Sequence, residues 1–174
     1  MPVPCSICGQ NSGVLWLRSA FFTLALPGTV LIWVPLWLST FEGGTVEIGA
    51  VRWVGVPPSI IGAAGLLWCI WDFARAGKGT LAPVDPPRFV VRSGLYRVVR
   101  NPMYVSVLTV LVGEVCVLRS LRLAVWAALV AVAVHLFVVA YEEPTLRRQF
   151  GSDFETYCRE VPRWRPRLAR KRVG

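Results

Sequence analysis

The sequence predicts an all-α integral membrane protein: a bundle of four helices, or of five, with a cytoplasmic loop and an amphipathic C-terminal helix. Hydrophobic residues make up 55% of the 174 residues and charged residues only 17%, which is more apolar surface than one small soluble core can bury. Several uncharged runs reach the roughly 20 helical residues that cross a bilayer. The formal net charge is nevertheless +9, and basic residues beside apolar runs are typical of membrane flanks. These observations argue against a soluble basic domain and against nucleic-acid binding.

Four runs that are poor in charge define the predicted spans. They cover residues 14–38, 54–73, 104–118 and 123–141, and they follow a short N-terminal segment, 1–13, within one membrane domain over 14–174. The first run contains a single charge, Arg18, and is too long for the apolar core of a signal peptide. The second opens with Pro57 and Pro58 in its first turn, where missing amide donors matter least.

The third and fourth spans form a predicted hairpin, because only the four residues 119–122 separate them. The third span contains Glu114, and the fourth contains His135 but no formal charge. The helical rise gives these two residues similar depths, which would allow a hydrogen-bonded pair inside the bilayer. The pair has a structural interpretation, as mutual neutralisation, and a functional one, in which His135 positions or deprotonates a substrate.

Tryptophan and arginine positions predict how the spans lie in the membrane. Tryptophans near the span ends indicate an interfacial aromatic belt, namely Trp16, Trp33, Trp37, Trp53, Trp68, Trp71 and Trp126. The loop 74–103 holds six Lys and Arg residues and the tail beyond Tyr141 holds nine, against three on the other side. By the positive-inside rule, both termini and the loop face the cytoplasm, at the inner or plasma membrane if the source is bacterial.

The five cysteines do not predict a metal site. Cys5 and Cys8 form one Cys-x-x-Cys pair, but a tetrahedral zinc site needs a second pair of ligands. Cys69 and Cys116 lie within spans and are interpreted as small apolar fillers.

Two features of the cytoplasmic side are candidates for ligand binding. The loop 74–103 combines glycines and prolines, which fix turns and allow close backbone approach; alternatively, it is a connector whose arginines hold lipid phosphates. Glu142 and Glu143 are adjacent acids at the end of the fourth span, and such acids repel each other unless a cation or several donors lie nearby. Arg147 or Arg148 at helical spacing would neutralise an exposed pair. The functional interpretation is a site for a ligand with a positive charge or ribose hydroxyls.

Two ordered motifs within residues 60–166 carry a resemblance to a known group of enzymes. The first is Gly94-Leu-Tyr96-Arg-Val-Val-Arg100-Asn101-Pro102-Met-Tyr104, and the second begins at Glu142-Glu143-Pro and ends at Val161-Pro162. They resemble the motifs of the integral-membrane methyltransferases, which comprise isoprenylcysteine carboxyl methyltransferases and phospholipid (phosphatidylethanolamine) N-methyltransferases. The resemblance implies a cytoplasm-facing S-adenosylmethionine site over residues 77–104 and 142–166.

The resemblance also assigns individual residues. It implies that the cofactor is bound by Arg88, Val90, Val91, Tyr96, Arg100, Asn101, Pro102, Met103, Tyr104, Glu142 and Glu143. Glu142 is the first candidate for a catalytic role; His135 is the second, because of its place inside the fourth span and not because of the resemblance. Gly77 and Gly79 resemble the glycine pair of the phospholipid enzymes. No metal is implied.

The motifs differ between the two branches of this group, and the differences bear on the substrate. The carboxyl methyltransferases have Arg-His-Pro where this chain has Arg100-Asn101-Pro102, whereas the phospholipid enzymes have the Asn-Pro-Met-Tyr that this chain matches. The carboxyl methyltransferases also place an arginine one turn before the acidic pair, where this chain has Val138. The resemblance therefore favours a lipid amine or a similar lipid as the methyl acceptor. Isoprenylcysteine-type carboxyl O-methylation and a non-catalytic membrane scaffold of the same fold remain alternatives.

The tail predicts an amphipathic helix that lies on the membrane or covers the cofactor. Its apolar residues recur at helical spacing, at Leu146, Phe150, Phe154, Tyr157 and Val161. The basic run that begins at Arg163 is interpreted as an anchor for lipid headgroups.

Overall fold

The computed structural model describes residues 27–41, 45–47, 49–76 and 94–166. Within these ranges the chain forms helices and one isolated β-bridge, but no strand. The α-helices are α1 (Val34–Ser39), α2 (Val56–Ala76), α3 (Pro102–Leu118), α4 (Leu121–Phe137), α5 (Glu143–Phe150) and α6 (Ser152–Glu160). π-helical turns cover Thr29–Trp33 and Val138–Glu142, and 3-10 turns cover Gly49–Gly55 and Gly94–Arg97.

The helices agree with the predicted membrane protein. Two helical stretches, Gly49–Asp72 and Leu121–Phe150, are long and apolar enough to cross a bilayer, and Thr29–Ser39 and Pro102–Leu118 are shorter apolar helices. Each contains part of one predicted span, so the all-α membrane fold is confirmed. Pro57 and Pro58 lie in the first turn of α2, as expected. Residues 14–26 of the first span, together with Cys5 and Cys8, fall outside the described part of the chain.

Small residues bring α2 and α3 close together. A side chain at Gly62 would come within 2.7 Å of the Ser106 carbonyl oxygen, and one at Gly113 would overlap the Ser59 hydroxyl. Helices in a bilayer associate through close van der Waals contact and not through the hydrophobic effect. The glycines therefore stabilise this helix pair by the space that they leave open. A buried cluster then connects α2 and α3 to α4, and it consists of Leu66, Val107, Leu111 and Val130.

The predicted hairpin between the third and fourth spans is present and is tighter than expected. Only Arg119 and Ser120 lie between α3 and α4. Arg119 adopts a left-handed conformation with φ 55°, and the Ser120 hydroxyl caps α4 by accepting a hydrogen bond from the Leu123 amide at 3.3 Å. The Val46 amide donates to the Arg119 carbonyl at 2.9 Å, so the segment 45–47 supports the turn.

The expected pair between Glu114 and His135 does not form. Glu114 faces a cavity of about 450 Å³ between the Thr29–Ser39 helix, α2 and α3, and its buried Oε2 atom has no hydrogen-bond partner among the residues that the structure describes. His135 is exposed, and its ring centroid lies 6.0 Å from that of Trp164. The prediction was wrong because the two residues lie at different distances from the turn between α3 and α4: Glu114 is four residues before the end of α3, and His135 is fourteen residues after the start of α4.

The tryptophans largely match the predicted belt. Trp33, Trp37, Trp53, Trp68 and Trp71 are all more than half exposed, as lipid-facing or interfacial side chains should be. Trp126 differs, because its indole nitrogen donates to the Val30 carbonyl at 3.2 Å and its ring packs against the buried cluster. It therefore connects α4 to the helix that contains α1. Trp16 is outside the described residues.

The tail forms two helices where a single amphipathic helix was predicted. The chain turns at Gly151, whose φ of +52° suits glycine, and this turn separates α5 from α6. Phe154, Tyr157 and Val161 pack with Leu146, Phe150 and Cys158 into a second apolar cluster. The apolar stripe is therefore buried between the two short helices and the segment that follows them, and not spread along one membrane-bound helix.

Candidate functional site

The two predicted motifs meet where α3 begins and α4 ends. The Tyr104 hydroxyl donates a hydrogen bond of 3.1 Å to Oε2 of Glu142, so the contact joins residues that are 38 positions apart in the sequence. Glu142 is the last residue of the π-helical turn, and Pro144 follows it in the first turn of α5. Proline has no amide hydrogen to donate to the residue four positions earlier, which favours a widened turn here. Single π-turns within α-helices are frequent at functional sites.

Glu143 is the centre of a buried ion-pair cluster. The residue is 3% exposed, and both of its carboxylate oxygens accept hydrogen bonds from Arg163, at 2.6 and 2.8 Å. Arg100 donates to Oε1 at 3.1 Å, and Arg147 lies 3.8 Å from Oε2. The bidentate geometry is the strong form of an arginine–carboxylate contact. Hydrogen bonding to Glu143 raises the pKa of Arg163 above its ordinary value, so this guanidinium remains charged.

Arg100 contacts several groups, and one of its side-chain donors remains without a hydrogen-bond partner among the described residues. Its Nη1 atom also contacts the Cys158 sulfur at 2.9 Å, and its backbone amide donates to the Pro162 carbonyl at 3.0 Å. Burial raises the pKa of the Cys158 thiol, which keeps it neutral near pH 7. The Nε atom of Arg100 is buried without a hydrogen-bond partner in the described part of the chain. A buried donor of this kind fits an anionic group of a ligand.

Tyr96 lies near Glu142. It belongs to the 3-10 turn Gly94–Arg97, and its carbonyl accepts a hydrogen bond of 2.7 Å from the Tyr157 hydroxyl. Burial raises the pKa of the Tyr96 hydroxyl above its usual range, and the nearby charges of Glu142 and other titratable groups raise it further. Tyr96 is therefore a neutral hydroxyl at any physiological pH.

The remaining residues of the first motif divide between the site and the core. Asn101 is 8% exposed, and its side-chain amide points to the Arg163 carbonyl at a long 3.5 Å. Pro102 is buried as the first residue of α3. Met103 packs against the buried cluster between α2, α3 and α4. These positions shape the wall of the site more than they offer polar groups to it.

The structure thus brings together most of the predicted site residues that it describes, and it adds others. Tyr96, Arg100, Asn101, Tyr104, Glu142 and Glu143 converge, whereas His135 lies about two helical turns away along α4. Arg88, Val90, Val91, Gly77 and Gly79 lie outside the described residues. The added residues are Arg163, Tyr157, Cys158 and Asp72.

Asp72 and Arg163 were not predicted as site residues, for different reasons. The Oδ2 atom of Asp72, near the end of α2, is buried without a hydrogen-bond partner among the described residues. It occupies the space where a side chain at Gly94 would lie, and Gly94 has a φ of +55°. A single charge near the end of an apolar run was the only sequence signal for Asp72. Arg163 is the first residue of a basic run that was interpreted as a lipid anchor, so it was not considered separately. Its position directly after Val161-Pro162, where the second motif ends, was the only signal that distinguished it from the other arginines of the run.

The sequence matches a known family over most of this architecture. The model of the phospholipid methyltransferase family matches residues 51–153, which is more than half of the 174 residues. The match includes α2, the hairpin of α3 and α4, and both Tyr104 and Glu142.

Comparison with curated proteins and solved structures adds one relative. The chain is 28% identical over 137 residues to the nickel-cobalt-cadmium resistance protein NccN of Alcaligenes xylosoxydans xylosoxydans. This alignment covers 79% of the chain and 55% of the relative, so the chain spans little more than half of the relative's length. No solved structure matches the sequence. From the family match over residues 51–153, the chain belongs to the phospholipid methyltransferase family.

Proposed function

We propose that the protein transfers a methyl group from S-adenosylmethionine to a lipophilic acceptor, a lipid amine or a similar lipid, at the cytoplasmic face of the membrane. The contact between Tyr104 and Glu142 carries this proposal. Tyr104 is the only described donor to the Glu142 carboxylate, and one hydrogen bond leaves most of the acceptor capacity of a carboxylate unused. Glu142 is therefore available for ribose hydroxyls or an ammonium group.

Glu142 and Glu143 have different roles in this proposal. Both oxygens of Glu143 are engaged by arginine, so we assign Glu143 to holding the end of α4 in place. Because Glu142 is the neighbouring residue, the same ion pairs fix its position relative to Tyr104. Glu142 contacts the ligand, Arg163 and Glu143 are positioning residues, and Arg100 both holds Glu143 and keeps a buried donor for the ligand. His135 remains a prediction as a group that positions or deprotonates the acceptor.

The residues at the site fit S-adenosylmethionine, which would supply the methyl group on its sulfonium sulfur. The unpartnered Nε of Arg100 offers a buried donor for its carboxylate, and the unpartnered Oδ2 of Asp72 offers an acceptor for a cationic or hydroxyl group. Tyr96 adds a neutral hydroxyl. For an in-line displacement, the protein has to align donor and acceptor, remove a proton and exclude water.

The surroundings of Glu142 favour a lipid amine over a carboxylate as the acceptor. Val138, one turn before Glu142, is fully buried and apolar, so this position offers no cation to an acceptor carboxylate. A water-soluble donor and a bilayer-resident acceptor meet only at the interface, where α3 begins and α4 ends. The positive-inside rule assigns this end, with both termini, to the cytoplasm.

The name of the relative, a metal resistance protein, gives no second function. Within the described residues there is no group of three or more His, Cys, Asp or Glu side chains that could hold a metal ion. No observation on these residues therefore favours metal binding over methyl transfer.

The decisive test is binding of S-adenosylhomocysteine, the product form of the cofactor, to purified protein by calorimetry. We expect Glu142→Gln to weaken binding by about 10- to 100-fold, because a hydrogen bond to a charged group is worth about 1.5–3 kcal/mol. Glu47→Gln is the matched control, since Glu47 pairs with Arg119 at the other end of the bundle. Unchanged affinity in Glu142→Gln would contradict the assignment.

A second experiment separates an enzyme from a non-catalytic scaffold. Membranes that contain the protein are incubated with methyl-labelled S-adenosylmethionine, and the label is sought in lipid, protein and small products. We expect label in lipid for the wild type and a large loss for Glu142→Gln. Label in a carboxyl ester would support the isoprenylcysteine-type alternative, and no label in any fraction would support the scaffold.

A further inference from the structure

The segment that follows α6 returns along the end of α4. Residues 161–165, here called the tail strap, contact α4 and its extension at two points. Arg163 forms its bidentate contact with Glu143, and the Trp164 ring lies 6.0 Å from the His135 ring with an angle of 36° between the planes. The strap is also bonded to the start of α3, because the Arg100 amide donates to the Pro162 carbonyl.

Glu142 lies between the two contact points. His135 precedes Glu142 by seven residues and lies about 10 Å from it along the helix axis. Glu143 is the next residue. Arg163 and Trp164 are consecutive, with Cα atoms about 3.8 Å apart, yet their side chains reach Glu143 and His135. They therefore bracket Glu142 along the helix.

Trp164 lies on the bilayer side of this bracket. α4 is apolar from Leu123 to Val134, and Leu136 and Val139 near His135 are 59% and 39% exposed, as expected of a surface that contacts acyl chains. His135 is itself exposed although Trp164 is close to it. An amphiphile that moves from the bilayer toward Glu142 past His135 thus meets the Trp164 ring first. An indole, with its apolar body and polar N–H, suits the boundary between acyl chain and headgroup.

We propose that Trp164 and His135 form the lateral entrance through which the lipid acceptor reaches the site, with Trp164 as a specificity-determining residue. The inference rests on the proposed function for what enters, and on the two strap contacts for where it enters. Trp164 contacts the apolar part of the acceptor next to its headgroup. Arg163 holds the strap in place and leaves the Trp164 ring facing the bilayer.

The kinetic test uses phosphatidylethanolamine in nanodiscs as the acceptor. We expect Trp164→Ala to raise the apparent KM for the lipid by about three- to tenfold, the range that corresponds to a lost aromatic contact. The affinity for S-adenosylhomocysteine and kcat should change less than twofold. Trp164→Phe should retain most of the wild-type KM. Trp53→Ala is the control, because Trp53 is 58% exposed and lies beside Arg52, before α2.

A second measurement does not depend on turnover. Brominated acyl chains quench an indole that touches them, so the difference in emission between wild type and Trp164→Phe reports the contacts of Trp164 alone. We expect this difference to disappear in nanodiscs of brominated lipid. A difference that brominated lipid leaves intact and aqueous iodide quenches would overturn the proposal.

The outcomes also separate this inference from the proposed function. If the wild type methylates the lipid and Trp164→Ala has an unchanged KM for it, the proposed entrance at Trp164 would be refuted. The proposed methyltransferase function would be unaffected. A wild type that transfers no methyl group to the lipid would refute the lipid-amine function, and the quenching result would still decide the position of the entrance. If Trp164→Ala weakens cofactor binding and raises the KM for the lipid by equal factors, Trp164 would be a structural residue. That result would refute its role in specificity.

Discussion

Removing the Arg163 guanidinium should weaken both the fold and the cofactor site. Arg163→Ala takes away two hydrogen bonds, of 2.6 and 2.8 Å, from a carboxylate whose side chain is only 4% exposed. Breaking a buried ion pair costs about 3–5 kcal/mol, because the remaining charge loses its partner. Arg163 is itself 31% exposed and Arg100 still reaches Glu143. We therefore expect a smaller loss, of about 2 kcal/mol.

The assay compares thermal unfolding of the purified variants in one detergent, followed by intrinsic fluorescence. A loss of about 2 kcal/mol corresponds to a fall in Tm of about 4–8 °C for a chain of this length. Arg163→Lys should lie between wild type and Arg163→Ala, since lysine keeps the charge and loses the fork that matches a carboxylate. Arg165→Ala is the control, because Arg165 is exposed and two residues away.

The positioning role of Arg163 adds a second expected result. If the ion pair fixes Glu142 through Glu143, the affinity for S-adenosylhomocysteine should fall in the same order, with Arg163→Ala weaker than Arg163→Lys. The reasoning is refuted if Arg163→Ala has the Tm and the affinity of Arg165→Ala. In that case the ion pair would contribute to neither the fold nor the site.

Two further predictions concern other parts of the molecule. Gly113→Leu should separate α2 from α3, because any side chain at position 113 overlaps the Ser59 hydroxyl and the Gly55 carbonyl. We expect a lower Tm and aggregation in gel filtration. Gly28→Leu is the control, because Gly28 has open space around it, and it should change neither the Tm nor the gel-filtration profile. The free energy of unfolding should fall as the pH rises above about 10. Burial raises the pKa of Tyr96 in the folded protein above its unfolded value of 10.0, so the tyrosine of the unfolded chain loses its proton first and the unfolded state is stabilised. Tyr96→Phe should make this alkaline fall shallower in denaturant titrations at several pH values, and an identical slope would contradict the pKa shift.

The helices could be predicted from the sequence because a bilayer imposes a length on any uncharged segment that crosses it. That constraint located the hairpin of α3 and α4, and a hairpin puts Tyr104, where the third span begins, and Glu142, where the fourth span ends, at the same interface. Their contact depends only on which end of each helix lies at which interface. Packing, which a single sequence leaves unspecified, was not needed for this prediction.

The sequence pattern could not predict contacts that depend on how the helices pack or on a turn. Glu114 lies near the turn end of α3 and faces a cavity beside the start of α2, whereas His135 lies fourteen residues into α4, near Trp164. The apolar spacing of the tail continues across Gly151, so periodicity alone could not reveal the turn that its positive φ creates. Arg163 lies 20 residues from Glu143, and only that turn brings the two together. The sequence indicated the acidic pair and Arg147 at helical spacing, which lies 3.8 Å from Glu143, but it did not indicate Arg163, which forms the bidentate contact.

The two-residue connection between α3 and α4 has a consequence for how the chain enters the membrane. α3 has 17 residues and contains Glu114 four residues before its end, and an ionisable side chain within a span raises the cost of insertion, by up to about 2.5–3.5 kcal/mol at the centre of a helix. α4 contains no Asp, Glu or Lys and one arginine in its first turn. With only Arg119 and Ser120 between them, neither helix can partition into lipid without the other. We therefore expect the translocon to release them as one unit, in which the apolar surface of α4 compensates for the acidic residue in α3.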